Sequence, residues 1–198
     1  MIRNKFLQII VILLLIQFGI TPVMIPTYAR IGRTDAYVIS PIQNATHHNN
    51  LGLYLMEEKR YEAAIEEFSV AIKLNPNTQA TAVYYNNLGE AYLTLGYYDI
   101  AQECFEKAIT QYGLNLQYYQ NLVETFKAQN ILETKIQEYT IKAQKNTLSQ
   151  VILGLSYIAN GNIRNGIIIL DTFCMSQPKL IITFAIRNYI NEIAKDLR

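Results

Sequence analysis

The feature that most limits how this chain can fold is a pattern it writes twice. "NNLGLYLMEEKRYEAAIEEFSVAIKLNP", Asn49 to Pro76, returns as "NNLGEAYLTLGYYDIAQECFEKAI", Asn86 to Ile109. Gly52 and Gly89 lie 37 residues apart, close to the repeat lengths of helical solenoids. A unit of that size cannot bury its apolar side alone, so copies stack and share a continuous core.

Within the first copy, Tyr61, Ala64, Ile65, Phe68, Ala71 and Ile72 recur at intervals of three and four. That spacing lays one apolar stripe along a helix from about Tyr61 to Leu74, with Glu62, Glu66, Glu67 and Lys73 on the wet side. Ahead of it Leu51, Gly52, Tyr54 and Leu55 mark another helix, and "EEKR", Glu57 to Arg60, makes the turn. The second copy has Leu88, Gly89 and Tyr92 on its first helix, Gly96 at the turn, and Tyr98, Ala101, Phe105 and Ala108 on its second. Glycine inside a helix costs about 1 kcal/mol relative to alanine, so Gly52 and Gly89 at equivalent places require the close approach of a neighbouring helix. Ala64 with Ala71, and Ala101 with Ala108, leave room for Tyr and Phe from the facing hairpin.

These residues resemble the tetratricopeptide repeat family, whose pattern is Leu-Gly and an aromatic on the first helix, then Ala, an aromatic, Ala and a terminal Pro on the second. The first copy fits with Leu51, Gly52, Ala64, Phe68, Ala71 and Pro76, though Leu55 stands where an aromatic is usual. The second has Gly113 in place of the proline. A third copy around Leu122 and Phe126 is degenerate: Val123 replaces the small residue, Lys135 the next alanine, and Ala143 recovers the register only with one residue inserted. The fourth returns to form with Leu153, Gly154, Tyr157, Gly161 and Pro178, with Gly166 and Phe173 where alanines are usual. Leu180 to Arg198 then reads as a helix capping the open end. The resemblance implies an all-α solenoid of about four helix hairpins with a capping helix, occupying residues 45–198 with the cap at 180–198.

The N-terminus is different material. Arg3 and Lys5 precede "FLQIIVILLLIQFGITPVMIPTY", Phe6 to Tyr28, which carries no charge. A basic start, an apolar run and then Pro22, Pro26 and the small residues Thr27 and Ala29 describe an export signal, residues 1–29, cleaved after Ala29. The alternative is an uncleaved anchor, since the stretch nearly reaches bilayer length and residues 6–25 would then associate with the membrane. Either reading puts the rest in an exported location, periplasmic or extracellular, or at a membrane, with residues 30–44 as a polar linker.

Seventeen basic against sixteen acidic residues give a formal charge of +1, so no global field draws in nucleic acid. Cys104 and Cys174 have neither metal-ligand spacing nor the density of a disulfide scaffold, and read as buried thiols. The common phosphate, zinc and serine-nucleophile motifs are absent, and no cofactor is implied. His47 and His48, as helix neighbours about 100° apart, suit two-point metal ligation badly and read as surface residues near a helix start. Glu57/Glu58 and Glu66/Glu67 read as solvated charge, and Asn44-Ala45-Thr46, formally a glycosylation triplet, as helix-start chemistry. Tyr54, Tyr61, Tyr85, Tyr92, Tyr98, Tyr119 and Tyr157 fall at or beside packing positions, which assigns most of the fifteen tyrosines to the core.

What remains is a row of amides: Asn49 and Asn50, then Asn86 and Asn87, then Gln120 and Asn121. The resemblance implies that the first helix of each hairpin lines a concave groove. Amides there can pair with a peptide main chain whatever its side chains, or they can brace the hairpins. With Glu90 and Glu124 among them, these are the candidate partner-binding residues, and no catalytic or metal-binding set is assigned. Family members that clamp a terminal carboxylate do so with groove lysines and arginines, whereas here Leu53, Glu57, Glu90 and Glu124 stand among the amides. The sequence thus points to a non-catalytic scaffold for a protein or extended peptide. The alternatives are a membrane-tethered assembly factor, resembling the tetratricopeptide proteins that help build photosystems, and an enzyme or glycan binder using groove tyrosines and carboxylates.

Overall fold

The computed structural model describes residues 41–196, and every regular element among them is an α-helix. In chain order these are α1 (Pro41–Glu57), α2 (Tyr61–Leu74), α3 (Gln79–Thr94), α4 (Tyr98–Gln111), α5 (Leu116–Ala128), α6 (Leu132–Lys142), α7 (Ser149–Ala159), α8 (Ile163–Ser176) and α9 (Ile181–Asp196). The segment expected to be a signal or anchor, residues 1–29, and linker residues 30–40 lie outside the described residues. Residues 41–44, read above as the end of the linker, instead form the first turn of α1, where a proline without an N–H is well tolerated. None of the described helices is long and apolar enough to cross a membrane.

Four hairpins result, and one backbone device closes each of them. Lys59, Gly96, Asn130 and Gly161 adopt positive φ (59°, 80°, 57° and 83°). The next residue then donates its N–H back across the helix end: Arg60 to Leu55, Tyr97 to Tyr92, Ile131 to Phe126 and Asn162 to Tyr157, all at 2.8–3.0 Å. This left-handed cap satisfies carbonyls that the ending helix would leave open. Helix α3 starts on a capping box in which Thr78 and Thr81 exchange side-chain bonds with each other's backbone N–H.

Packing inside the hairpins follows the glycines. A Cβ on Gly52 would lie 2.5–2.9 Å from ring atoms of Phe68, and one on Gly89 would lie 2.7–2.9 Å from those of Phe105. The close neighbour is therefore the second helix of the same hairpin, whose phenyl ring lies on bare backbone. The alanines serve the joints between hairpins: buried Ala71 meets Tyr84 of α3, and buried Ala108 meets Tyr118 of α5. At the fourth hairpin Gly154 and Gly166 face each other, and a Cβ on Gly166 would come within 2.6 Å of the Gly154 carbonyl.

The third hairpin breaks the rule, as its sequence foreshadows. Buried Val123 occupies the glycine position, and α5 touches α6 only lightly while packing against α7. Lys135, where an alanine is usual, lays its ammonium 5.2 Å from the centre of the Phe126 ring and pairs with Glu138 at 3.0 Å. Helix α9 then packs on α8 and reaches across to α5, burying Ile182 and Ile186. It caps incompletely, since Ile181 and Phe184 stay exposed.

Curvature can be read from which helices meet. The backbones of helices α1, α3, α5 and α7 approach one another in succession, whereas those of α2, α4, α6 and α8 stay farther apart, so the odd-numbered helices form the concave side.

Replacing Gly89 by alanine tests this packing. Alanine improves helix propensity by about 1 kcal/mol, but overpacking against Phe105 costs about 1–3 kcal/mol, so the urea midpoint should fall. Because the two residues touch, the losses from Gly89→Ala and Phe105→Leu should sum to more than that of the double variant. A Gly89→Ala chain more stable than the parent would show that the helices do not meet there.

Candidate functional site

Four of the amides on the concave side are tied to one another. Asn87 donates its Nδ2–H to Oδ1 of Asn49 at 2.8 Å, and Asn121 donates to Oδ1 of Asn86 at 2.9 Å. The two bonds are one device used twice, since in each the second amide of a copy reaches the first amide of the copy before it. The chain continues sideways: Gln117 donates to Asn121 Oδ1 at 2.8 Å, and both Asn86 and Asn121 donate to Oε1 of Glu90 at 2.8 Å. Asn49, Asn86 and Asn87 are buried. Burial raises the importance of each bond, because an amide oxygen removed from water without a donor is costly.

The chain stops at the fourth copy. Val151, Ile152 and Leu155 occupy the places of the first two amides and of Glu90, and all three are buried. Gln120 therefore receives no bond from the next repeat. With Glu124 and Lys127 of α5 it lines a cleft of about 230 Å³ that Leu155 and Ile158 of α7 and Tyr189 of α9 close from the other side. Glu124 lies 3.8 Å from Lys127. Asn50 is exposed and joins none of these bonds.

Of the eight residues proposed from sequence, the structure thus brings together Asn49, Asn86, Asn87, Glu90 and Asn121, places Gln120 and Glu124 in the neighbouring cleft, and sets Asn50 apart. Sequence reasoning missed Gln117 as a member of the chain and missed Val83, and it placed Leu53 among the amides without counting it as a contact residue; Leu53 and Val83 are each 41% exposed. Val83 and Glu90 are seven residues apart on α3, and Leu53 holds in α1 the place that Glu90 holds in α3, so a repeat-by-repeat comparison of positions would have found them.

Elsewhere several expectations need correction. His48 is no surface residue near a helix start: it lies inside α1, half-buried, with Nδ1 2.6 Å from Oε2 of Glu67 on α2. Tyr54 is 55% exposed and leaves the core set, whereas Tyr84, Tyr118, Tyr119 and Tyr139 are buried. Cys104 and Cys174 are free and buried, and burial pushes the Cys104 thiol up to about 11. Among the described residues no three His, Cys, Asp or Glu side chains gather in a way that could hold a metal ion.

Stacked α-hairpins with a polar inner face define a helical-repeat solenoid. Residues 43–112 match the family model of the tetratricopeptide repeat, and the described residues fold as an all-α solenoid of that type. Among solved structures the chain is similar to the TPR domain of Arabidopsis OM64 (14% identity, TM-score 0.44, covering 77% of this chain and 98% of that one). It is also similar to the second TPR domain of human RPAP3, solved with an HSP70 peptide (20% identity, TM-score 0.46, 59% and 97%). A third is a tetratricopeptide repeat protein from Parabacteroides merdae (15% identity, TM-score 0.48, 78% and 61%). No curated protein matches the chain in sequence.

The amide chain can be tested by truncation. Asn87→Ala leaves Asn49 Oδ1 buried without its donor, and Asn121→Ala does the same to Asn86, so each should cost about 1–3 kcal/mol in urea melts. Asn50→Ala, at an exposed site, should stay within about 0.5 kcal/mol of the parent. Equal melts for all three variants would mean that the bonds add nothing to the stack.

Proposed function

We propose that this chain is a non-catalytic protein-binding scaffold, exported or membrane-tethered, whose concave side holds an extended peptide or protein segment. The observation that carries this reading is the contrast on that side between a locked amide layer and the open apolar side chains Leu53 and Val83 beside it. A rigid wall loses little entropy on binding, and apolar side chains left open next to polar groups suit a partner that lays side chains against them. The buried amides serve chiefly to brace the wall, and the contact strip consists of Leu53, Val83, Glu90, Gln117, Gln120 and Glu124. The charge-free stretch from Phe6 to Tyr28 supports delivery across or into a membrane. Cleavage after Ala29 yields a free exported scaffold, whereas retention of that stretch yields a tethered one of the assembly-factor kind.

Site-specific photocrosslinking checks the proposal in the native extract. A crosslinker replacing Val83 on the concave side should give adducts, and one replacing Glu103, exposed on α4 of the convex side, should not. Adducts from position 103 alone would move the binding surface to the other side. Intact mass of the same native chain reports whether residues 1–29 are still attached.

A further inference from the structure

The contact strip carries one carboxylate that the described residues orient but do not neutralise. Glu90 is the only charged residue on α3. Asn86, one turn earlier on the same helix, and Asn121, on the next repeat, both donate to its Oε1 at 2.8 Å, which fixes the side chain from two directions. Among the described residues its Oε2 accepts no hydrogen bond, and none of their ion pairs includes Glu90. Such a group is half a charge-assisted pair, held in position and lacking a cation.

Its surroundings have the same sign. The concave helices α1, α3, α5 and α7 carry Glu57, Glu90, Glu124 and Lys127, and Lys127 already faces Glu124 at 3.8 Å. Residues 41–111, which form the first two hairpins, hold nine acidic against four basic side chains. A field of that sign attracts cationic segments and repels a terminal carboxylate. Val83, two turns before Glu90, shares its face of α3, and Leu53 lies one repeat away at the equivalent place, so exposed apolar side chains share the concave side with the carboxylate.

Resting on the scaffold reading above, we infer that the groove selects a cationic segment: an extended peptide that presents a lysine or arginine to Glu90 and aliphatic side chains to Leu53 and Val83. The amides enter recognition indirectly. By donating to Oε1 they leave Oε2 as the acceptor that faces the partner, and an ammonium or guanidinium completes the site.

The test is an array of randomised ten-residue peptides, sorted by net charge, probed with the full chain and with Glu90→Gln. Binding should concentrate on peptides rich in Lys or Arg with aliphatic neighbours, weaken with added salt, and fall about ten- to a hundredfold in Glu90→Gln. Glutamine keeps a carbonyl acceptor for Asn86 and Asn121, and a urea melt checks that the stack is intact. Should that variant fold poorly, Val83→Lys puts a repelling cation on the same exposed face two turns from Glu90 and should weaken cationic binding at least several-fold without moving the melt. If neutral or acidic peptides bind as tightly, or if cationic peptides bind both variants as they bind the parent, cation selection is overturned while the scaffold stands. If no peptide class binds, the groove reading itself falls and this inference falls with it.

Discussion

Phe68 lies on the bare backbone of Gly52, and Phe105 on that of Gly89, and this one contact sets how near the two helices of a hairpin can come. Where it is made, α1 with α2 and α3 with α4 form tight units whose alanines accept a tyrosine from the next repeat. Where Val123 occupies the glycine position, the hairpin opens, α5 leans on α7, and α9 extends to α5. The regular stack is thus interrupted at the hairpin that lacks this contact. The open part of the concave side lies over α1, α3 and α5, while Tyr189 closes the cleft against α7.

Amides suit the inside of such a stack because each supplies both a donor and an acceptor. Asn87 to Asn49 and Asn121 to Asn86 repeat one geometry at sequence separations of 38 and 35 residues. Local contacts of this kind couple each repeat to its neighbour, which is where solenoids obtain their cooperativity. The chain ends at Ile152, an apolar residue at the amide position, and stability from there onward rests on apolar burial by Val151, Leu153, Leu170, Phe173, Ile182 and Ile186. The polar half of the concave side is accordingly the half whose side chains are fixed by hydrogen bonds between repeats.

Much of this was legible in the sequence because helical periodicity reports which face of a helix is buried. The four hairpins, the special place of Gly52, Gly89 and Gly154, the weak third copy and the two buried thiols all followed from spacing and size. The destination of a polar side chain did not. Asn49 has the same periodicity whether it faces a ligand or a neighbouring amide, and only the register between repeats distinguishes the two. Tyr54 failed for a related reason: it adjoins a packing position in α1, but α1 is the first of the described helices, and no described repeat covers that face. The course of α9 was equally hidden, since it depends on the opening of α5 from α6.

The bracing role of the amides is the centre of this description, and side-chain hydrogen exchange measured by NMR on the unaltered protein tests it without any substitution. Buried, bonded side-chain amides exchange only when the structure opens locally. The Nδ2 protons of Asn87 and Asn121 should therefore exchange at least about tenfold more slowly than those of exposed Asn50. Equal rates at all three residues would contradict the brace and return the amides to the solvent-facing wall of the groove.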